Sequence, residues 1–576
     1  MKPAVRAVVP TLLLPLLLAL ALPPRALAHG DAHGSYAVPP EDLAVYRIRA
    51  TTEQLGELRN GYDVWTYAWR DGEAIALLSS ADVEELEGRG FTPTLDVERT
   101  ENELKAVSGR ELGAGRGSGI PGFPCYRTVE ETYADLAQRA LDHPTLASWI
   151  DIGDSWEKAN TPDPGYDVRA LVLTNSAIAG DKPDLVVMAA MHAREYTTAE
   201  LVTRFAEYLL DGYGTDPEIT WLLDQREIHI LPQVNPDGRK RAESGLLWRK
   251  NADNDFCANT YNRGVDLNRN ASFLWGSGGG FTCGETYRGP SAGSEPETQA
   301  VEGYLAAVFP DQRGDALTDP APDDAEGVFI SVHSFGELVL FPWEATATQT
   351  PNHDQLQTLG RKFGFYTDYS VCLECLGTAS GTTPDEAYGE YGVAAYTFEL
   401  GDSFFESCTP FESTIYPDNR DALLYAAKAA RRPYQEPLGP EAIQVVATPP
   451  VVEAGEPVTL TAVLDDTRFD SNGFGNEPTQ TIAAAFVSVD LPPSQQPAPS
   501  PLAPVDGTFD ASSEAVSGVL DTTGLAVGRH LVYVFGEDSG GRRGVPTAVF
   551  LDIAEPPVFA DDFETGNLSR WSSVVP

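Results

Sequence analysis

His192 and Glu195, in His192-Ala-Arg-Glu195, stand three residues apart. One turn of chain then brings an imidazole and a carboxylate to the same side. A second imidazole, His333 in Ser331-Val-His-Ser-Phe335, would complete a set of two histidines and one glutamate. Catalytic zinc uses such a set, with a fourth position left open for water. The elements that must position these groups are legible nearby. The apolar run from Asp184 to Met191 reads as a buried strand ending at His192, and Gly327 to Val332 as another leading into His333.

A His-x-x-Glu pair alone is a weak sign in a chain with 85 acidic residues. Its company makes it specific: Trp248-Arg-Lys250, Gly264-Val-Asp-Leu-Asn-Arg269, the His333 strand and Tyr396-Thr-Phe-Glu-Leu400 follow in order. Together these motifs resemble the M14 zinc metallocarboxypeptidases, from about residue 119 to residue 430. The resemblance implies that His192, Glu195 and His333 bind one zinc, and that Asp266 hydrogen-bonds the first histidine, fixing its tautomer. Glu399 would be the general base, taking a proton from the attacking water and returning one to the leaving amine. Arg249 would stabilise the oxyanion. Asn268 and Arg269 would grip the substrate's C-terminal carboxylate, with Arg194 assisting further out. The implied enzyme is an exopeptidase acting on peptide and protein C-termini, since an internal peptide bond offers no carboxylate to hold.

Two positions depart from the family pattern. Where many relatives carry a mobile tyrosine over the substrate stands Gly377, leaving Tyr366, Tyr369, Tyr388 or Tyr391 as substitutes, or no cap. The position that sets the charge of the specificity floor aligns with Pro384, next to Asp385. Pro384 predicts neutral or apolar C-terminal residues; a slip of one residue to Asp385 predicts Lys or Arg.

Around this centre the chain divides by pattern. Residues 1–28 carry Lys2 and Arg6, an apolar stretch and Ala26-Leu-Ala28, the three parts of an export signal, so a secreted protein is expected. Residues 29–118 hold a βαββαβ pattern over 42–98, with a strand at Thr92 to Val97, then a polar, Gly-rich linker. The family resemblance implies a propeptide there, against the alternative of a permanent accessory domain. Residues 119–435 alternate apolar strands with amphipathic helices, which predicts an α/β fold, a mixed central sheet flanked by helices. Residues 436–555 carry short strands between Pro, Gly and Asp turns and predict an immunoglobulin-like β-sandwich. Residues 556–576 form a tail.

The six cysteines all lie between Cys125 and Cys408, an even count that suits disulfides in an exported chain. Sequence alone does not choose among the possible pairings; the resemblance implies Cys257 with Cys283, and Cys125 with Cys408 would then join the two ends of the domain. Cys372 and Cys375 could form a local bridge or a redox or metal pair. The formal charge of −45 opposes nucleic acid or an anionic membrane as partner. No segment after the leader is long and apolar enough for a membrane span, and a monomer is expected. His229, inside Ile228-His-Ile230, reads as a satisfied core histidine, and Asp465 to Asn472 as an acidic loop that could take Ca2+ through its oxygens. Two other functions share parts of the pattern. An amidohydrolase of the same superfamily, acting on a small acyl amino acid or cell-wall peptide, would share the His-x-x-Glu and Asp-x-Asn-Arg motifs. A catalytically dead binding protein would not need Glu399 intact.

Overall fold

The computed structural model describes residues 43–555 except 52–53, 56–57, 59–61, 69–71, 102–117, 259–261, 347, 374, 471–474 and 497. The leader, most of the linker and the tail lie outside the described residues.

The N-terminal module is a four-stranded antiparallel sheet in the order β2-β3-β1-β4, from β1 (Ala44–Arg49), β2 (Asp63–Ala68), β3 (Glu73–Leu78) and β4 (Thr94–Leu95). Helix α1 (Ser80–Gly88) starts on a capping box between Ser79 and Asp82. The predicted strand from Thr92 to Val97 shrinks to two residues. Asp96 ends it, because its carboxylate accepts from Arg47 Nε at 2.8 Å and from Arg99 N at 3.1 Å, and the chain turns helical.

The central sheet has eight strands in the order β11-β10-β12-β9-β7-β8-β6-β5. They are β5 (Ala147–Asp154), β6 (Asp167–Leu173), β7 (Asp184–Met188), β8 (Glu227–Leu231), β9 (Val328–Ser334), β10 (Leu338–Leu340), β11 (Ser370–Cys372) and β12 (Ala394–Leu400). The inner four, β12, β9, β7 and β8, run parallel, and the edges are antiparallel except for β10 with β11. Every residue of β9 is buried, which is why its first five residues are mostly apolar and show no strict alternation. Flanking helices include α2 (Val129–Asp142), α3 (Tyr196–Gly212), α4 (Pro217–Gln225), α5 (Pro236–Ala242), α6 (Pro296–Val308), α7 (His353–Thr367), α8 (Thr383–Tyr391) and α9 (Tyr416–Ala429). In α3, Leu201, Val202, Phe205 and Leu209 form the buried stripe that docks it on the sheet.

The C-terminal unit is a β-sandwich. Strands β13 (Glu441–Thr448), β15 (Val458–Asp465) and β18 (Ser513–Leu520) form one antiparallel layer. The other is β16 (Ile482–Val489), β19 (Gly528–Asp538) and β20 (Thr547–Ala554), with β14 (Val451–Glu453) parallel to β20. Strand β17 (Ser500–Pro504) pairs with β16 at its start and β18 at its end, so it passes between the layers. Leu460, Leu464, Val487, Val516, Val534 and Leu551 fill the space between them.

All six cysteines are paired: Cys125 with Cys408, Cys257 with Cys283, Cys372 with Cys375. The redox or metal reading of Cys372 and Cys375 is thereby replaced by a local bridge. No helix of the described residues is long and apolar enough to cross a membrane.

Candidate metal centre

Open α/β sheets gather ligands at the carboxyl ends of their parallel strands, and the candidate residues meet there. β7 ends at Met188, earlier than predicted, and the chain leaves the sheet through Ala190, whose φ is 53°. His192 and Glu195 follow, with Glu195 as the residue before α3. His333 is the sixth residue of β9, and Glu399 on β12 lies directly opposite it in register.

His192 Nδ1 lies 2.7 Å from Glu195 Oε1 and 3.0 Å from His333 Nδ1, and His333 Nδ1 lies 3.2 Å from Glu195 Oε2. All three side chains are buried. Three lone-pair-bearing atoms thus converge with at most a proton or two among them, and buried Glu195 Oε2 makes no hydrogen bond. An arrangement of two imidazole nitrogens and a carboxylate that crowd together in a dry pocket fits a dication. The opposite edge of each ring is occupied: His192 Nε2 is 3.1 Å from Asp266 Oδ1, and His333 Nε2 is 2.9 Å from Ser331 Oγ. These outer contacts set each imidazole so that Nδ1 faces inward.

Asp266 is fully buried, and its other oxygen accepts from Arg249 Nη2 at 2.9 Å and Nε at 3.2 Å. Burial pushes its carboxyl up, but Arg249 and His192 outweigh burial and hold it well below the usual carboxylate range. Burial pushes the Glu399 carboxyl up to about 8, with His333 pulling down, Glu195 pushing up and Arg249 pulling down. A dication at the ligand triad would draw it down further. Arg249, Asn268, Arg269 and Glu399 line one cleft with His192 and Glu195.

Arg194 is placed differently from its expected outer substrate role. Its guanidinium forks onto Asp63 of the N-terminal module, Nη1 to Oδ2 at 2.9 Å and Nη2 to Oδ1 at 3.0 Å, over the Phe404 ring. Tyr62, Val64 and Trp65 of that module line the same cleft.

Pro384 and Asp385 do not form the cleft floor. Both are buried in α8, and the Asp385 carboxylate accepts from the backbone N–H groups of Glu344 and Ala345 at 2.8 and 2.9 Å. Glu344, which follows β10, lines the cleft in their place. Gly377 also lines it, and none of the four proposed substitute tyrosines does. Tyr366 donates to Glu441, Tyr388 to Asn352, and Tyr369 Oη accepts from Gly401 N and Asn419. Tyr391 packs against Phe309.

Among the described residues one other group could hold a metal ion, Asp184, Glu227 and His229. Both nitrogens of His229 are already engaged, by Tyr304 Oη at 2.6 Å and Asp184 at 3.0 Å. No such group includes the loop beginning at Asp465, where Asp465 Oδ1 accepts from Thr467 and Asp466 from Gln480 N. The Ca2+ reading therefore has no ligand set there among the described residues.

Several supporting residues went unread in the sequence. Arg239, fully buried, donates to the carbonyls of Ala193, Glu195 and Tyr196 at 3.1 to 3.2 Å and so clamps the ligand turn. Asn235 bridges Met191 O and Lys250 O, both at 3.0 Å, tying the His192 segment to the Arg249 segment. The only local signal was Asn235-Pro-Asp-Gly238, which reads as a helix start. Gly381, with φ 68°, lets the loop before α8 pass Arg269; a Cβ there would lie 2.5 Å from Arg269 O.

A family model described as zinc carboxypeptidase matches residues 132–424. Carboxypeptidase A2 of Mus musculus is 30% identical over 298 residues, 49% of this chain and 64% of that protein. The chain thus spans just under two thirds of that relative's length. Zinc carboxypeptidase A 1 of Anopheles gambiae is 27% identical over 453 residues, 73% of this chain and 95% of that protein. The crystal structure of carboxypeptidase A from Helicoverpa armigera matches with a TM-score of 0.56 at 23% identity, covering 68% of this chain and 98% of that one. At that identity the likeness is one of fold.

Proposed function

The chain belongs to the zinc carboxypeptidase family, and from that premise we propose that it removes the C-terminal residue of peptides and proteins by hydrolysis. One observation carries the reading: a cleft that opens on His192 and Glu195 is also lined by Asn268, Arg269, Arg249 and Glu399. A carboxylate-binding pair beside a hydrolytic centre suits a substrate that ends there. His192, Glu195 and His333 would hold zinc, which would supply Lewis-acid activation of water and polarisation of the scissile carbonyl.

The protein's own residues do the rest. Asp266 keeps the proton of His192 on Nε2, leaving Nδ1 free as a ligand atom. The same carboxylate fixes Arg249 at its edge, so that the guanidinium's remaining N–H bonds can oppose charge growing on the carbonyl oxygen. Arg269 and Asn268 hold the terminal carboxylate and set the bond to be cut. Glu399, opposite His333 across two paired strands, takes the proton from the attacking water and delivers it to the departing amine.

The N-terminal module is read as a propeptide that occupies this cleft until it is cut away. Its Asp63 engages Arg194, and Tyr62 and Trp65 line the same cleft, which is support for that reading. Residues 1–28 are read as its export signal.

The test compares release from peptides with free and amidated C-termini, using the chain before and after cleavage of the linker. Losing a charge-assisted hydrogen bond of this kind costs about 1.5 to 3 kcal/mol. Amidation is therefore expected to lower kcat/KM at least about tenfold. Equal cleavage of amidated peptides would refute the exopeptidase reading. Cleavage restricted to small acylated amino acids would favour the amidohydrolase instead.

A further inference from the structure

At the end of the central sheet opposite to the His192 centre, the starts of two neighbouring parallel strands gather a histidine and two carboxylates. Asp184 opens β7 and Glu227 opens β8, and the two are partners in register. Side chains two residues apart on a strand share a face, so His229 stands on the Glu227 side of β8. Glu227 N donates to Pro183 O at 3.2 Å, which ties the two strand starts together. The imidazole is buried, whereas the Asp184 and Glu227 carboxylates are 21% and 39% exposed, so an ion can reach it from solvent.

His229 Nε2 lies 3.0 Å from Asp184 Oδ1 and 3.6 Å from Glu227 Oε1. A zinc ion about 2.0 to 2.1 Å from each ligand sets tetrahedral ligand atoms about 3.3 to 3.4 Å apart, between those two distances. A proton on Nε2 serves the Asp184 contact alone, since 3.6 Å is too long for a hydrogen bond. The far edge of the ring is held as well. Nδ1 lies 2.6 Å from Oη of Tyr304, a residue of α6. Burial, and after it Glu227 and Asp184, pushes the Tyr304 hydroxyl above its usual range, so the phenol stays protonated. With its oxygen accepting from Nδ1–H, the Nε2 lone pair faces the two carboxylates. The contact of Nε2 with Asp184 is then one between fellow ligands.

Charge points the same way. An imidazolium beside two carboxylates leaves one negative charge over, whereas a neutral imidazole with a dication leaves none. No lysine or arginine forms an ion pair with Asp184 or Glu227 among the described residues. Lys182 acts on Glu227 electrostatically, but its ammonium donates to Thr174 Oγ1 and Asn175 O, both at 2.8 Å. One imidazole with two carboxylates suits zinc or manganese, while calcium takes oxygen ligands.

We propose that Asp184, Glu227 and His229 form a second metal site, for a divalent ion of the zinc or manganese kind, which joins the starts of β7 and β8. It stands whether or not the chain is a carboxypeptidase.

The test counts zinc bound to the full chain after chelator treatment and dialysis against about 10 µM free zinc, which fills a site with a Kd of about 1 µM to about nine-tenths. Glu227→Gln and Asp184→Asn are each expected to lose one equivalent relative to the wild type. Tyr304→Phe, which keeps the ring, is expected to weaken the same equivalent about tenfold. Melting temperatures in chelator check that the variants fold. The count at the His192 centre is common to all the chains and drops out of the comparison. Equal counts in the wild type and a folded Glu227→Gln or Asp184→Asn overturn the proposal. If neither of those folds, an unchanged zinc affinity in Tyr304→Phe overturns it. Failure of the catalytic reading would instead appear as a wild type that binds zinc but shows no dependence on a free C-terminal carboxylate.

Discussion

At the scale of single residues, the centre is built from pairs in which one group sets another. His192 is set by Asp266, Arg249 by the same Asp266, Glu344 by Thr397, and the ligand turn by Arg239. Glu399 stands apart: among the described residues no hydrogen bond engages its side chain, which leaves its oxygens free for water. Glu399→Gln keeps the shape and removes the proposed base. It is expected to retain zinc and the native melting temperature while turnover falls on the order of a hundredfold or more. A variant with near-normal rate would assign water activation to another group. His192, Glu195, His333 and Glu399 could be singled out as candidates because they sit in recognisable motifs, whereas Glu344 could not. It sits in Phe341-Pro-Trp-Glu344, eleven residues past His333, and nothing local distinguishes it from a surface acid. The ungapped count to Pro384 failed because that stretch coils into α8 and turns Pro384 and Asp385 into its packing.

At the scale of elements, the parallel strands β7, β9 and β12 were legible because their burial on both faces leaves mostly apolar runs without strict alternation. Their ends were less legible. Tertiary contacts decide them, as when Asp96 stops β4 or when the chain turns off β7 three residues before Met191. The order of strands was also beyond reach, since pairing β9 with both β7 and β12 joins segments far apart in sequence. The N-terminal module shows what such long-range placement can do, because its β2 carries Asp63 to Arg194. Arg194 is 1% exposed, so removing Asp63 leaves a buried charge with only a longer contact to Glu285, at 3.9 Å, a cost of about 3 kcal/mol, the lower end for a broken buried pair. That is roughly a hundredfold in the equilibrium between docked and undocked module. Asp63→Ala in the uncut chain should therefore raise its activity on a free-carboxylate peptide well above that of the uncut wild type. If both uncut chains are equally active, or equally silent with the module still bound as tightly, Asp63 is not what holds it in place.

At the scale of the whole molecule, the sandwich is joined to the α/β unit by buried charge as well as by packing. Lys362 on α7 is fully buried and donates to Glu441 Oε1 at 3.0 Å, while Glu441 Oε2 accepts from Tyr366 Oη at 2.7 Å and Arg468 Nε at 3.1 Å. A second pair, Arg361 with Glu477, lies alongside at 2.6 Å, and Trp221 of α4 meets Tyr533 of β19 edge-on. Glu441 is the first residue of β13, so the charge network sits at the start of the sandwich itself. Such a network specifies geometry more than it adds stability, since burying these charges is itself costly. Breaking it from one side is a different matter: Lys362→Ala would leave Glu441 with Arg468 alone as cation and open a gap beside Phe469, over which the ammonium lies at 3.8 Å. A loss of about 3 kcal/mol in urea unfolding is expected, the lower end for a buried pair because Arg468 and Tyr366 remain. If the two units are coupled through this contact, the variant should also separate one unfolding transition into two, seen as probes in the sandwich and at the zinc site losing coincidence. An unchanged midpoint with coincident probes would mean that apolar packing alone unites the sandwich with the α/β unit.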